Sequence, residues 1–430
     1  MSVLDDLLES SSPSLIRHAQ LESAAGPMAP VAAAVYAKSE GRDRYRINDH
    51  APVLHPDADG FMFGHSGVHA PSVVISSVAG EASRTEPLVY QDPEMSPWLS
   101  AIEIGRPDNA DIDSAIQAAI AAATPSNSAV ELDSPERRAE MTAFLENASV
   151  SSWELSHRHV DGWVRYALLP DSGKTLWAST DSTTYSRVVS ADPAVIAGVS
   201  LNSLIWGYWL ASGATRTHRR ARTLSTQIIG SGASRSPVYA TKTAGRFPAT
   251  SSTKVKVENG ELVVGNSLKK AQRPSHVGLG AVLQRPEDVP VHFTCESIVS
   301  LTSLSLNDLR GLRSQGVSDA VVRGCLGVAL VATELAATDL HLRSECDLVE
   351  VDEPRWGLRL RGRRGAQRMD LDIDEIRRAT VDALSQAVQD GDLAGDTSGV
   401  HKIPLRISTP MAQVMLESIL AAASKASADE

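Results

Sequence analysis

Residues Arg273–Arg313 read RPSHVGLGAVLQRPEDVPVHFTCESIVSLTSLSLNDLRGLR. Pro274 to Pro290 is rich in turn-forming residues and predicts a loop. Val291 to Val299 alternates apolar and polar side chains, the period of a strand with one covered face. Ser305 can cap a helix, with Asp308 three residues on and Leu306, Leu309 and Leu312 along the following face. Loop, strand and helix in succession point to an α+β fold and by themselves name no chemistry.

Working outward, Ser305 to Thr338 predicts mainly helix, in which Gly324, Gly327, Ala329 and Ala332 permit close packing. Two strands follow, Asp347–Val351 and Arg355–Leu360, then a basic turn with Arg361, Arg363, Arg364 and Arg368. A helix starts at Asp372 and a last one at Thr409-Pro410. Toward the N-terminus, residues 1–30 read as a short helix followed by a Ser/Ala/Pro linker. Val31–Tyr36 could be a first strand, Gly41–Gly67 reads as loop, and Val73–Ile75 is an apolar strand. A helix begins near Ser77 and is expected to end at Pro87. Residues 108–124 and the segment after Ser134-Pro135 predict helices. Residues 153–169 and 175–189 read as strands and loops, and a helix starting at Asp192-Pro193 runs through Trp206 to Gly213. Between Lys254 and Val264, Asn259-Gly260 predicts a hairpin.

The 430 residues suffice for two or three ordinary domains, and 42% hydrophobic with 22% charged content is that of a folded globular protein. No run approaches the roughly 20 apolar residues of a membrane span. The acidic MSVLDDLLESSS start lacks a basic n-region, so a cytoplasmic protein without a signal peptide or membrane partner is expected. Cys295, Cys325 and Cys346 are an odd number without metal-ligand spacing and predict buried thiols. The net charge is −11, yet residues 201–300 hold 13 Lys and Arg against 5 Asp and Glu. A basic segment on an acidic body is the footprint of a polyanion-binding surface, although a solvated basic loop has the same composition.

Signatures of catalysis are absent from the sequence: there is no Gly-x-Ser-x-Gly elbow, Walker segment, His-Glu-x-x-His or carboxylate pair. Gly230-Ser-Gly232 lacks both the phosphate-loop ending and the dinucleotide spacing and reads as a turn. His65 and His69 stand four apart, but the surrounding Gly64, Gly67 and Pro71 argue against a metal-binding helix. His157 and His159 would share one side of a strand, with no ligand partner near them in sequence.

Three segments, in order, resemble the backbone subunit of type I-G (formerly I-U) CRISPR effector complexes, a member of the repeat-associated RNA-binding superfamily. The first is Ser77-Val-Ala-Gly-Glu-Ala-Ser-Arg84-Thr-Glu86, similar to S-V-x-S-x-A-N-R-x-E. The second is Ile205-Trp-Gly-Tyr-Trp209 with Arg222-Thr-Leu-Ser225-Thr-Gln-Ile-Ile-Gly230, similar to an aromatic helix end and R-x-x-x-S-E-I-V-G. The third is Pro274-Ser-His276-Val-Gly-Leu-Gly280 with Leu304-Ser-Leu-Asn-Asp-Leu-Arg-Gly-Leu312, similar to P-S-E-I-x-x-G-N and L-S-L-x-x-L-R-x-L. Ser83 stands where Asn is usual, Gln227 and His276 where Glu is, and Ala281 where Asn is common.

The resemblance implies an RRM-like (ferredoxin-like) palm with large insertions and additional helices. Residues 25–95 and 190–420 would form the discontinuous palm, 96–189 an inserted region, and 213–275 a basic finger within it. It also implies a non-catalytic role without cofactor or metal. Copies of the chain would polymerise along the spacer of a CRISPR RNA, alongside other effector-complex subunits, and present it for pairing with target DNA. Such a subunit should contact phosphate and sugar and leave the bases to pairing. The expected RNA-binding residues are Arg84, Arg216, Arg219, Arg220, Arg222, Arg235, Lys242, Lys269, Lys270, Arg273 and His276. Arg361, Arg363 and Arg364 could serve RNA or a neighbouring subunit. Two other readings stay open: a metal-dependent RNase of the same superfamily, working through Asp57 or Asp59, and an unrelated nucleotide-processing α/β enzyme.

Overall fold

Ser14–Ser23 (β1), in the stretch read above as linker, is a central strand of the larger part of the molecule. The computed structural model describes residues 2–27, 29–36, 43–62, 64–122, 133–178, 191–210, 218–237, 254–258, 261–264, 291–393 and 399–417. They belong to two compact units. The first combines Met1–Gly105, Ser149–Arg235 and His292–Ile407, and the second Arg106–Ala148, Ser236–Val291 and Ser408–Glu430.

In the first unit β1 is followed by Ile47–His55 (β2), Gly64–Ser76 (β3) and the helix Val78–Gln91 (α1). Further on come the short strands Tyr208–Leu210 (β4) and His218–Arg220 (β5), then Leu224–Ser231 (β6) and Ser297–Ser305 (β7). Helices Leu306–Arg313 (α2) and Asp319–Thr338 (α3) precede strands His341–Arg343 (β8), Cys346–Glu350 (β9), Arg355–Arg359 (β10) and Ala366–Met369 (β11), and helix Ile373–Gln389 (α4). Among the described residues the large sheet has the order β8-β9-β1-β7-β6-β3-β2, with β10 also on β1 and β11 on β10. Within it, β1-α1-β6-β7-α3-β9 follow one another in the chain and lie in the order β9-β1-β7-β6, all antiparallel. That is the ferredoxin-like arrangement of an RRM. The fold is an RRM-like palm with large insertions and additional helices, the β2–β3 hairpin extending its β6 side.

Leu358, Leu15, Leu304 and Leu224 form one row across β10, β1, β7 and β6, and Leu15, Leu304 and Leu224 are buried in the main core with α3. Alternate residues of these strands face the other way. Helix α3 is long and apolar enough by composition to cross a membrane, but 14 of its 20 residues are buried inside the palm unit. Burying Leu and Val side chains there contributes roughly 1.5–3 kcal/mol each. As the small residues of α3 anticipate, an added Cβ at Gly324 or Gly327 would collide with Leu384 or Thr380 of α4.

Several local expectations change. β1 lacks alternation because both of its faces are covered: Leu15, Ala19 and Leu21 lie on one side, and Ile16 packs with Phe61 and Ala366 on the other. Arg17 is buried in the strand, held by Glu334 at 2.9 Å and Glu350 at 2.7 Å. Residues 47–55, expected as loop, form an edge strand whose exposure hides any apolar period. Helix α1 runs on through Pro87 to Gln91, since Ala82, Glu86 and Val89 are buried along one face. The segment 153–169 forms short helical turns, Arg158–Val160 and Gly162–Tyr166. The long helix after Pro193 is two short ones, Pro193–Val199 and Asn202–Trp206. Strand 291–299 divides into Val291–Thr294 and β7, and Ser305 both ends β7 and caps α2.

In the second unit, helices Asn109–Ala122 and Pro135–Glu146 pack together. The expected hairpin forms between Val255–Glu258 and Glu261–Val264. Thr409 donates a hydrogen bond to Asp111. The three cysteines are buried and free, and burial pushes the Cys325 thiol up to about 12.

Candidate nucleic-acid interface

The chain turns at Gly207, whose φ of +73° is in the left-handed region. Alternation then places Tyr208 and Leu210 inward and leaves Trp209 58% exposed. Tyr208 meets His159 edge-on at 4.6 Å, and burial raises its phenol pKa. In the β4–β5 register Trp209 pairs with Arg219, and Tyr208 with Arg220. Arg219 is exposed and Arg220 half-buried. An exposed indole opposite an exposed guanidinium offers a stacking surface beside a phosphate contact. Trp209 is not among the residues that the sequence singles out for RNA; the alternation Tyr208-in, Trp209-out, Leu210-in is the signal that marks it.

The remaining expected residues do not share that position. Arg222 is half-buried, donating from Nε to the Trp206 carbonyl at 3.2 Å, and burial together with the Arg158 cation lowers its pKa. It braces the root of the hairpin. Arg84 lies in the helix layer, where Nη1 donates to the Ala336 and Asp339 carbonyls at 2.7 and 2.5 Å and Nη2 to Glu81 at 2.7 Å. Its charge therefore complements the C-terminal end of α3. Arg235 follows the opposite end of β6, is exposed, and pairs with Asp43. Arg216, Lys242, Lys269, Lys270, Arg273 and His276 lie outside the described residues.

The palm face turned away from α3 carries Ser14, Ile16 and His18 on β1, Leu301 and Ser303 on β7, and Ser225 and Gln227 on β6. Among the described positions of this face on the four central strands there is no Phe, Tyr or Trp. Its β1–β10 side is covered by the loop between β2 and β3: Phe61 packs on Ile16 and lies against Gly357. The Met62 N–H donates to His18 Nδ1 at 3.0 Å. Burial, with the nearby Arg359 cation, lowers the His18 pKa to about 4. Asp57 builds this loop, its Oδ1 accepting from the Asp59 and Phe61 N–H groups, both at 3.0 Å. His69 lies in β3 with its ring stacked on His50 at 4.4 Å. His159 belongs to a helical turn and is hydrogen-bonded to Ser203. Among the described residues no group of three or more His, Cys, Asp or Glu could hold a metal ion.

The β1-α1-β6-β7-α3-β9 order defines the class of the fold, an RRM-like palm with large insertions. More particularly, residues 15–235 match the family model described as CRISPR-associated protein GSU0053 (Cas_GSU0053), just over half of the chain, and the chain belongs to that family. Among solved structures, a chain titled "CRISPR RNA-guided surveillance complex, pre-nicking" aligns over 95% of this chain and 100% of its own length, at 9% identity and a TM-score of 0.33. That likeness is too remote to argue from. No curated protein matches.

Proposed function

We propose that the chain is the CRISPR RNA-binding backbone subunit of a type I effector complex, a non-catalytic cytoplasmic protein that grips ribose and phosphate and leaves the bases to pairing. One observation carries the reading: exposed Trp209 stands opposite Arg219 on a hairpin rooted at the end of a palm face lined by Ser225 and Ser303. Hydroxyls and guanidinium groups position a backbone without reading sequence. Several copies would follow one guide spacer, with the other effector subunits, and hold it for pairing with target DNA.

The test is a salt titration of binding to two fluorescein-labelled RNAs, oligouridylate and a mixed sequence. Both should bind with similar affinity, and Arg219→Gln with Arg220→Gln should reduce the slope of log K against log salt by about 1.4, at roughly 0.7 for each phosphate no longer neutralised. A strong preference between the two RNAs, or an unchanged slope, would overturn the reading. Co-expression with a CRISPR array should yield copurifying RNA that sequences as guide.

A further inference from the structure

The β10–β11 turn, Leu360–Gly365, carries three exposed guanidinium groups, Arg361, Arg363 and Arg364. It is a built turn. Gly362 and Gly365 both have φ of +74°, the Arg363 N–H donates to the Leu360 carbonyl at 3.3 Å, and Arg359 Nη1 donates to the Gly365 carbonyl at 2.6 Å. Nearby Arg368 is balanced by Glu353 and Asp370. By contrast, Arg361, Arg363 and Arg364 make no ion pair with any described residue. Asp57 and Asp59 reach the root of the turn, where an added Cβ on Gly365 would stand 3.4 and 3.9 Å from their Oδ2 atoms. Five arginines between 355 and 364 outnumber those two carboxylates.

Strand register fixes where this turn lies. Arg359 pairs with Ser14, and Ser14 with Ser305. One step in from that end is the row Leu358, Leu15, Leu304, Leu224. So β10 ends, and β6 begins, at the same end of the palm sheet. The two strands are separated by β1 and β7, three inter-strand spacings or about 14 Å. Arg222 stands two residues before β6 at that end, with β5 before it. At that end the register gives the row Arg359, Ser14, Ser305. The next open-face row is Gly357, Ile16, Ser303, Ser225, in which Ile16 and Gly357 lie under Phe61, so a sugar-phosphate chain coming from the small hydroxyls of Ser225 and Ser303 would cross β1 at Ser14.

We propose that the Arg361–Arg364 turn and the β4–β5 hairpin are the two ends of one phosphate track crossing the end of the palm sheet over Ser14, Ser303 and Ser225, and that its ligand is the ribose-phosphate backbone of single-stranded RNA. This rests on the RNA-binding reading above and adds to it a second set of contacts. An acidic protein partner is the competing occupant. The level alignment of the end of β10 with the start of β6, which follows the hairpin in the chain, and the serines between, favour a strand long enough to touch both.

The experiment measures binding of fluorescein-labelled oligouridylate across about 50 to 200 mM salt. It compares the wild type, Arg361→Gln/Arg363→Gln/Arg364→Gln, Arg219→Gln/Arg220→Gln, and the control Arg137→Gln/Arg138→Gln, which removes exposed charge on a helix of the other unit. The triple variant should lower the salt slope by about 2, at roughly 0.7 for each phosphate no longer neutralised, while the control keeps the wild-type slope. If the triple variant keeps that slope while Arg219→Gln/Arg220→Gln lowers it, the turn is not on the track and belongs to another partner. A control that falls as far as the triple variant overturns the local site in favour of bulk charge. A wild type that does not bind the RNA at all defeats the underlying reading instead.

Discussion

Arg158 and Glu86 are buried against each other, with Nη2 2.5 Å from Oε1 and Nε 2.8 Å from Oε2. Each side chain is only 3% exposed. Burial holds the Glu86 carboxyl above its ordinary pKa even with the guanidinium beside it. Arg158 adopts φ of +54° to make the contact and also donates to the Gly207 carbonyl at 2.5 Å. The pair thus ties helix α1 to the root of the β4–β5 hairpin. Arg158→Met should destabilise the fold by about 3–5 kcal/mol, because it leaves a buried carboxylate uncompensated. Adding Glu86→Met should restore most of that loss, since Asn202, which donates to Glu86, keeps the Ser152 carbonyl as a partner. Urea unfolding of the two variants checks this; a double variant as unstable as the single one would show that the charge is not the cause.

Gly207 is the other fixed point of that root. An added Cβ would stand 2.5 Å from the Arg220 carbonyl oxygen, and the positive φ already disfavours a side chain. Gly207→Ala should cost about 1–3 kcal/mol and displace β5 from β4. RNA affinity should fall with stability, without any phosphate-contacting residue having been replaced. Thermal unfolding alongside the oligouridylate titration tests it, and an unaltered melting temperature would refute it.

The sequence reveals parts of this architecture unevenly, and the differences have physical causes. Helix α3 with its glycines, strands β9 and β10 and the Ser305 cap follow from local period and capping chemistry, whereas β11, a short and largely exposed strand after the basic turn, does not. β1 is hidden because a strand covered on both faces has no alternation, and its one charged inward residue, Arg17, is neutralised by Glu334 and Glu350 from distant positions. The basic residues are legible as a composition, but not by role: Arg84 serves a helix terminus and Arg222 the Trp206 carbonyl. Which arginines remain outward is decided by tertiary contacts. The level alignment of β10 with β6 depends on strand register alone, which no local pattern encodes.

His18 gives the palm a pH dependence of known sign. Its folded pKa is about 4 against an ordinary value of 6.5, through burial and the Arg359 cation. Between those values the unfolded chain binds the extra proton, so stability rises with pH there. The contribution is complete above the unfolded value and lost as pH falls toward the folded one. From pH 7 to pH 5 the wild type should lose about 2 kcal/mol more than His18→Asn, whose amide oxygen can still accept from the Met62 N–H. Urea midpoints at the two pH values measure the difference. Equal losses would mean that His18 does not titrate in this way.

Trp209 separates stacking from charge. Its ring is exposed beside Arg219, and a base stacked on such a ring contributes about 1–3 kcal/mol by alanine substitution. Trp209→Ala should therefore weaken binding of oligouridylate about 5- to 150-fold, while the slope of log K against log salt stays at the wild-type value, because no phosphate contact is removed. Trp209→Phe keeps a flat ring and should recover most of the affinity. The indole points away from the core, so neither variant should move the urea midpoint. A change of slope in Trp209→Ala, or affinity retained without the ring, would refute the stacking contact.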